Sequence, residues 1–148
     1  KDAGFKGELE YFAPHEDTVA QLNLTAEIDY VFKKAWYGNI GFLFNSNGIS
    51  KPVDNWSLVN FQLTPQSLMP TKWNAVLTIA KELNPLFSAN LSCIHAPGTN
   101  LIILLPSVKY NLAANCDVDL VWQSFFAEQQ NDLSGVAHRG FIRIKWSF

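Results

Sequence analysis

No stretch of this sequence approaches the ~20 consecutive apolar residues that a membrane-crossing helix needs, which excludes helical spans. Strands are untouched by that argument, because alternating apolar and polar residues average out in hydropathy. Basic charge is short as well. Eleven Lys and Arg against thirteen Asp and Glu leave a net charge of −2, so no field exists to attract nucleic acid. There is no glycine loop to cradle phosphates, no zinc-ligand spacing and no nucleophile-elbow sequence. The three histidines, His15, His95 and His138, are scattered without paired spacing and read as surface residues, so no metal, cofactor or catalytic residue is expected. An initiating Met and a signal peptide are also missing, as in a processed product or a part of something longer.

What is present is alternation. The 148 residues suit one domain, 1–148, with 48% hydrophobic and 14% aromatic residues. The last nine, Gly140-Phe141-Ile142-Arg143-Ile144-Lys145-Trp146-Ser147-Phe148, put Ile142, Ile144, Trp146 and Phe148 on one face at period two. Phe141, Arg143, Lys145 and Ser147 fall on the other. Successive strand side chains point to opposite faces, so this segment is apolar on one side and mostly charged on the other.

The same template runs through the chain. Phe5, Gly7, Leu9 and Tyr11 oppose Lys6, Glu8 and Glu10. From Ala20 to Phe32, an apolar row from Leu22 to Phe32 opposes a row that includes Glu27 and Asp29. A short turn at Lys33-Lys34-Ala35 leads to Trp36, Gly38, Ile40, Phe42 and Phe44. Between Ser46 and Thr71 the pattern loosens, with Ser57–Leu63 either a short extra strand or part of a long loop. Trp73–Ala80, Phe87–Cys93, Leu101–Leu112 and Val118–Phe126 resume the alternation. Leu101–Leu105 is apolar on both faces, and Ser124 breaks the apolar row. A polar loop is expected at Glu128–Ser134. The expectation is an all-β antiparallel meander of about eight strands; a ninth at Ser57–Leu63 would move a three-residue turn to the side of the long loops.

The ending resembles the C-terminal signature of bacterial outer-membrane β-barrels, in which alternating apolar residues finish on Phe. The stretches Leu68-Met69-Pro70…Trp73, Pro106-Ser107-Val108-Lys109-Tyr110 and Asp117–Phe126 are similar to the C-terminal portion of larger outer-membrane barrel proteins of Bacteroidota-type bacteria. That resemblance implies a transmembrane antiparallel barrel, alone or completing a wider porin-like one with chain preceding Lys1. It carries over no catalytic residue.

A soluble lipocalin-type barrel, binding an apolar ligand, has the same periodicity with its apolar face inside. Aromatic residues near strand ends, with aliphatic residues between them, favour the inverted arrangement. On that reading Phe32, Trp36, Trp73, Tyr110, Trp146 and Phe148 form membrane girdles. The lumen is lined by Lys6, Glu8, Glu10, Glu27, Asp29, Lys72, Lys109, Asp119, Arg143 and Lys145. The expected partners are outer-membrane lipid and any further barrel strands or subunits. The expected function is a porin-like passive channel, or a component completing one, and not an enzyme. A small closed barrel with a structural or surface-interaction role through Ser46–Thr71 is the alternative. Of the two cysteines, the register puts Cys93 and Cys116 at opposite ends of the sheet, roughly 25 Å apart, too far for a disulfide. The sequons at Asn23, Asn55 and Asn90 read as chance matches, since two lie within expected strands.

Overall fold

The computed structural model describes residues 3–14, 19–52, 69–129 and 132–147. Eight strands follow one another: β1 (Ala3–Phe12), β2 (Gln21–Val31), β3 (Trp36–Asn45), β4 (Trp73–Asn84), β5 (Phe87–Ala96), β6 (Leu101–Ala113), β7 (Cys116–Gln129) and β8 (Asp132–Trp146). They form one antiparallel sheet in chain order, a meander. No helix occurs among the described residues. The sheet is not closed: β1 and β8 each have a single neighbour and present a free edge. Ser57–Leu63 and Phe148 lie outside the described residues.

Connections differ at the two ends. At one end, which we call the foot, hairpins turn over Phe32–Ala35, Pro85–Leu86 and Ala114–Asn115. The first of these holds Lys34 and Ala35 at φ of 59° and 56°, the left-handed pair that a tight type I′ hairpin demands. The other end carries the longer connections and the 97–100 turn, where Gly98 has φ of 90° and Asn100 of 51°. The described parts of the β3–β4 connection fold back there. Ile49 bridges Thr71, Ile49 N–H donates to the Pro70 carbonyl at 2.8 Å, and Lys72 N–H donates to the Ile49 carbonyl at 2.8 Å.

Two boundaries differ from the sequence reading. Most of the expected loop Glu128–Ser134 is strand, because the β7–β8 ladder continues past a register shift at Phe125/Phe126 to Gln129 opposite Asp132. Residues 132–139 lack clean alternation; backbone pairing to β7 holds them. β4 likewise runs to Asn84, so the expected Glu82–Pro85 turn narrows to two residues, with a bulge at Glu82/Asn84.

The doubly apolar run on β6 also finds its reason. Leu101 and Ile103 are buried with Ala96 and Ala127, packed by Met69, Ile94, Leu105, Phe125 and Val136. This small core caps the face that is otherwise polar, at the end away from the foot. Beside it sit buried amides and hydroxyls: Asn23, Asn45, Thr71, Asn74 and Thr99. They are satisfied internally, as buried polar groups must be. Asn45 Nδ2 donates to the Met69 carbonyl at 3.1 Å and Asn74 Nδ2 to the Thr71 carbonyl at 2.9 Å. Thr99 Oγ1 donates to the Ala96 carbonyl at 3.0 Å.

Candidate functional site

Cross-strand pairing aligns the charged residues, since directly opposed side chains on one face are the closest neighbours in a sheet. At the β1 edge, Lys6 faces Glu27 in register, with its ammonium 2.9 Å from Glu27 Oε1 and 3.6 Å from Asp29 Oδ1. Asn39 Nδ2, one strand further, donates to Glu27 Oε2 at 3.4 Å. At the β8 edge, Asp119 stands between Lys109 and Arg143, both opposite it. Arg143 takes it, Nε donating to Oδ2 at 2.6 Å, while Lys109 turns diagonally to Asp117 Oδ2 at 3.2 Å. Two ion-paired groups thus flank a middle of small polar side chains, including Thr78 and Ser92, whose hydroxyls are 2.9 Å apart.

These charges share one face with an open groove of about 500 Å³ lined by Ser88, Asn90, Ser107, Lys109, Asp119, Phe141 and Arg143. The polar face is therefore the hollow one. Asn90 Oδ1 is shielded from solvent there without a hydrogen-bond partner among the described residues. Phe141 is an aromatic residue on this face, half-exposed against Val121 across the ladder.

On the opposite face, the apolar rows are turned outward. Leu24, Ile28, Ile40, Leu77, Ile79, Leu91, Leu120, Ile142 and Ile144 are all exposed, Ile142 at 73%. Aromatic rings gather at both ends of these rows. Toward the foot, Tyr30 and Phe32 meet edge-to-face at 4.7 Å, and the Lys81 ammonium lies 4.7 Å over Trp36. Phe87 and Tyr110 pair at 6.3 Å, and Trp146 stands opposite Cys116, the residue after the last foot turn. Away from the foot, Phe44 and Trp73 stand 4.4 Å apart. From Trp36 to Phe44 the strand advances eight residues, about 26 Å at ~3.3 Å per residue.

Of the expected lumen residues, Lys6, Glu27, Asp29, Lys109, Asp119 and Arg143 come together in pairs as described. Glu8, Glu10 and Lys145 stand on the edge strands and make no ion pair among the described residues. Lys72 departs from its expected place. It precedes β4, outside the alternation, and its ammonium lies 5.7 Å over the Phe44 ring with the aromatic cluster. Lys81 was missed for a related reason: the period assigns it to the apolar face, where its place at the rim over Trp36 is visible only in three dimensions.

Ser124, the break in the apolar row of β7, has partners. Trp122 Nε1 donates to its hydroxyl at 3.0 Å, and His138 Nδ1 lies 3.0 Å from the same oxygen. His138 stacks on Trp122 and meets Phe126 edge-on. Cys93 and Cys116 are free thiols on β5 and β7, and no group of three or more His, Cys, Asp and Glu among the described residues is placed to hold a metal. The chain matches no protein-family model, no curated protein and no solved structure.

Proposed function

We propose that this sheet is part of a transmembrane β-barrel of the bacterial outer membrane, serving as a porin-like passive channel or as a component that completes one. The observation that carries the reading is the assignment of faces: the hollow side is polar and ion-paired, and the outward side is apolar with aromatic clusters at its ends. A lipocalin-type binder needs the reverse, with its apolar row lining the hollow. Lipid accounts for what water does not. The exposed aliphatic residues stand on the face opposite the ion pairs, where water would oppose them and hydrocarbon would not.

In this reading the band between the ring clusters spans the hydrocarbon, about 25 Å tall in such barrels. Tyr30, Phe32, Trp36, Tyr110 and Trp146 sit at the interface near the foot, and Phe44 and Trp73 at the other. The Lys72 and Lys81 ammonium groups reach over rings toward headgroups, as long basic side chains do at membrane boundaries. The polar face borders water, and its paired charges set what passes. Eight strands alone enclose only enough room for their own side chains, so conduction requires more strands than this sheet holds.

The test is refolding into detergent micelles, then electrophoresis with and without boiling, followed by conductance in a planar bilayer. A heat-sensitive compact band is the expected result, with stepwise conductance where further strands or subunits complete the barrel. A chain that is monomeric and soluble without detergent would overturn the proposal.

A further inference from the structure

We propose that the two free edges of the sheet are complementary halves of one seam, and that the occupant of each edge is a second copy of this chain, so that two copies join β1 to β8 twice and enclose a sixteen-stranded barrel. The inference rests on the outer-membrane reading and names its partner. It starts from unpaired charge. Among the described residues, the polar face of β1 carries Glu8 and Glu10 without an ion-pair partner, and that of β8 carries Arg139 and Lys145 without one. The edges are thus opposite in sign on the same face. Their directions also suit, since β1 runs away from the foot and β8 toward it. A β8 edge can therefore pair antiparallel with a β1 edge without turning over.

The register follows from the sheet itself. One continuous row of opposed residues runs Lys6, Glu27, Gly41, Val76, Ile94, Ile103, Phe125, Ala137. It starts three residues above the foot of β1 and ends nine above the foot of β8. Level feet would set Ala3 opposite Trp146, six residues out of step with that row. Pairing Glu8 with Lys145 sets Trp146 opposite Gly7, ten out of step; such a stagger is what any barrel requires. Only even offsets keep apolar residues opposite apolar ones.

Opposing Glu8 with Lys145 places Glu10 opposite Arg143, Leu9 opposite Ile144, Tyr11 opposite Ile142 and Trp146 opposite Gly7. The first two pairs join opposite charges, and Glu10 extends the existing Arg143–Asp119 pair into a three-residue chain. Trp146 over Gly7 repeats a pairing already in this sheet, where Trp122 covers Gly140 and Phe32 covers Gly38. A slip of two residues one way sets Lys6 against Lys145. A slip the other way leaves Arg143 facing Phe12. The stagger also closes geometrically: ten residues per eight strands, at ~3.3 Å rise and ~4.8 Å spacing, tilts the strands roughly 40°, within the range barrels adopt. Two copies double both numbers and leave the tilt unchanged.

A second copy is favoured over closure within one chain because the sheet stands open, with Phe5, Leu9, Ile142, Ile144 and Trp146 each more than two-thirds exposed along its two edges. Sixteen strands also leave an aqueous channel, whereas eight do not. Rings that close at two copies are the commonest symmetry.

The experiment replaces Cys93 and Cys116 with Ala, then prepares one batch with Glu8→Cys and another with Lys145→Cys. Opposed residues in an antiparallel pair stand within disulfide reach. Co-refolded in micelles and oxidised, the mixture is expected to give a band at twice the chain mass that reducing agent removes; neither batch alone gives it. The unaltered chain is expected to sediment in micelles as two chains per particle. A doubly substituted chain that links only within itself, or a particle of one chain, overturns the inference while leaving the membrane reading intact. A chain that never enters micelles removes both. Should the cysteine variants fail to fold, the sedimentation result decides.

Discussion

Arg143 and Asp119 face each other across the β7–β8 ladder, Nε donating to Oδ2 at 2.6 Å, and Asp119 is also opposite Lys109. The Asp119 side chain is only 13% exposed while that of Arg143 is 76% exposed, so the acid is the sheltered partner. A lone carboxylate in that position is worse than none. Arg143→Ala is therefore expected to destabilise the sheet by about 1 kcal/mol, and Arg143→Ala with Asp119→Ala by less than the sum of the two single changes. A double-mutant cycle from urea titrations in micelles measures the coupling; strict additivity would show that the pair contributes nothing.

The two faces make the sharpest contrast available. Leu24 and Thr25 are neighbours on β2, with Leu24 exposed among the outward aliphatics and Thr25 opposite Glu8 on the polar face. Leu24 is in register with Phe44 at one ring cluster. The midplane test is therefore Ile28→Arg, in register with Ile40 midway between the clusters, expected to cost about 2–4 kcal/mol against much less for Thr25→Arg. Ile144→Arg, two residues from Trp146 at the other cluster, is expected to cost less than Ile28→Arg. Folding titrations of Ile28→Arg and Thr25→Arg into bilayers read the difference, and equal tolerance at these two positions would remove the facing assignment.

Much of this architecture is legible in the chain because side-chain period is enforced locally. The alternation in Phe5–Tyr11, Ala20–Phe32 and Trp36–Phe44 reports strands and faces whatever their neighbours, and all three regions carry strands in the sheet. Period two fails where pairing, not patterning, holds the backbone. Glu128–Ser134 reads as a polar loop, yet its described residues are carried as strand in the β7–β8 ladder. It fails again where a face changes character along one strand. Leu101 and Ile103 are apolar on the polar face because Met69, Phe125 and Val136 pack against their cluster there, and no local rule announces such contacts. The charged pairs were legible as a set but not as partners. Choosing Asp117 for Lys109 and Asp119 for Arg143 needs the strand register, and Lys72 needs a ring that lies on another strand.

The β2–β3 turn is a place where the chain can be improved. Lys34 and Ala35 both hold left-handed φ values, 59° and 56°, which cost an L-residue with a Cβ roughly 1–2 kcal/mol. Lys34→Asn with Ala35→Gly supplies the pair such turns favour. The expected gain is about 1 kcal/mol, read as a higher urea midpoint at unchanged slope. An unchanged midpoint would mean that the turn relaxes in solution to another shape.

Gly48 is the opposite case, a position that tolerates no added atom. A Cβ built there falls within 2.6 Å of the Lys72 Cα, against backbone rather than a side chain that could swing away. The overlap comes at the point where three hydrogen bonds tie the two ends of the β3–β4 connection: Ile49 N–H to Pro70, Lys72 N–H to Ile49, and Asn45 N–H to Lys72, all 2.8 to 2.9 Å. Gly48→Ala must push these strands of chain apart, and the bridge between Ile49 and Thr71 with them. Overpacking of this kind costs about 1–3 kcal/mol. Gly41→Ala is the matched control, because its added Cβ meets Val76 Cβ at 3.7 Å, an ordinary contact, in mid-strand. Amide hydrogen exchange separates the two outcomes. In Gly48→Ala, the Ile49 and Lys72 amides should lose protection while the β6–β8 amides keep theirs; in Gly41→Ala, both sets should stay protected. Retained protection at Ile49 and Lys72 in Gly48→Ala would mean that the Ile49–Thr71 bridge does not hold the described ends of the connection together.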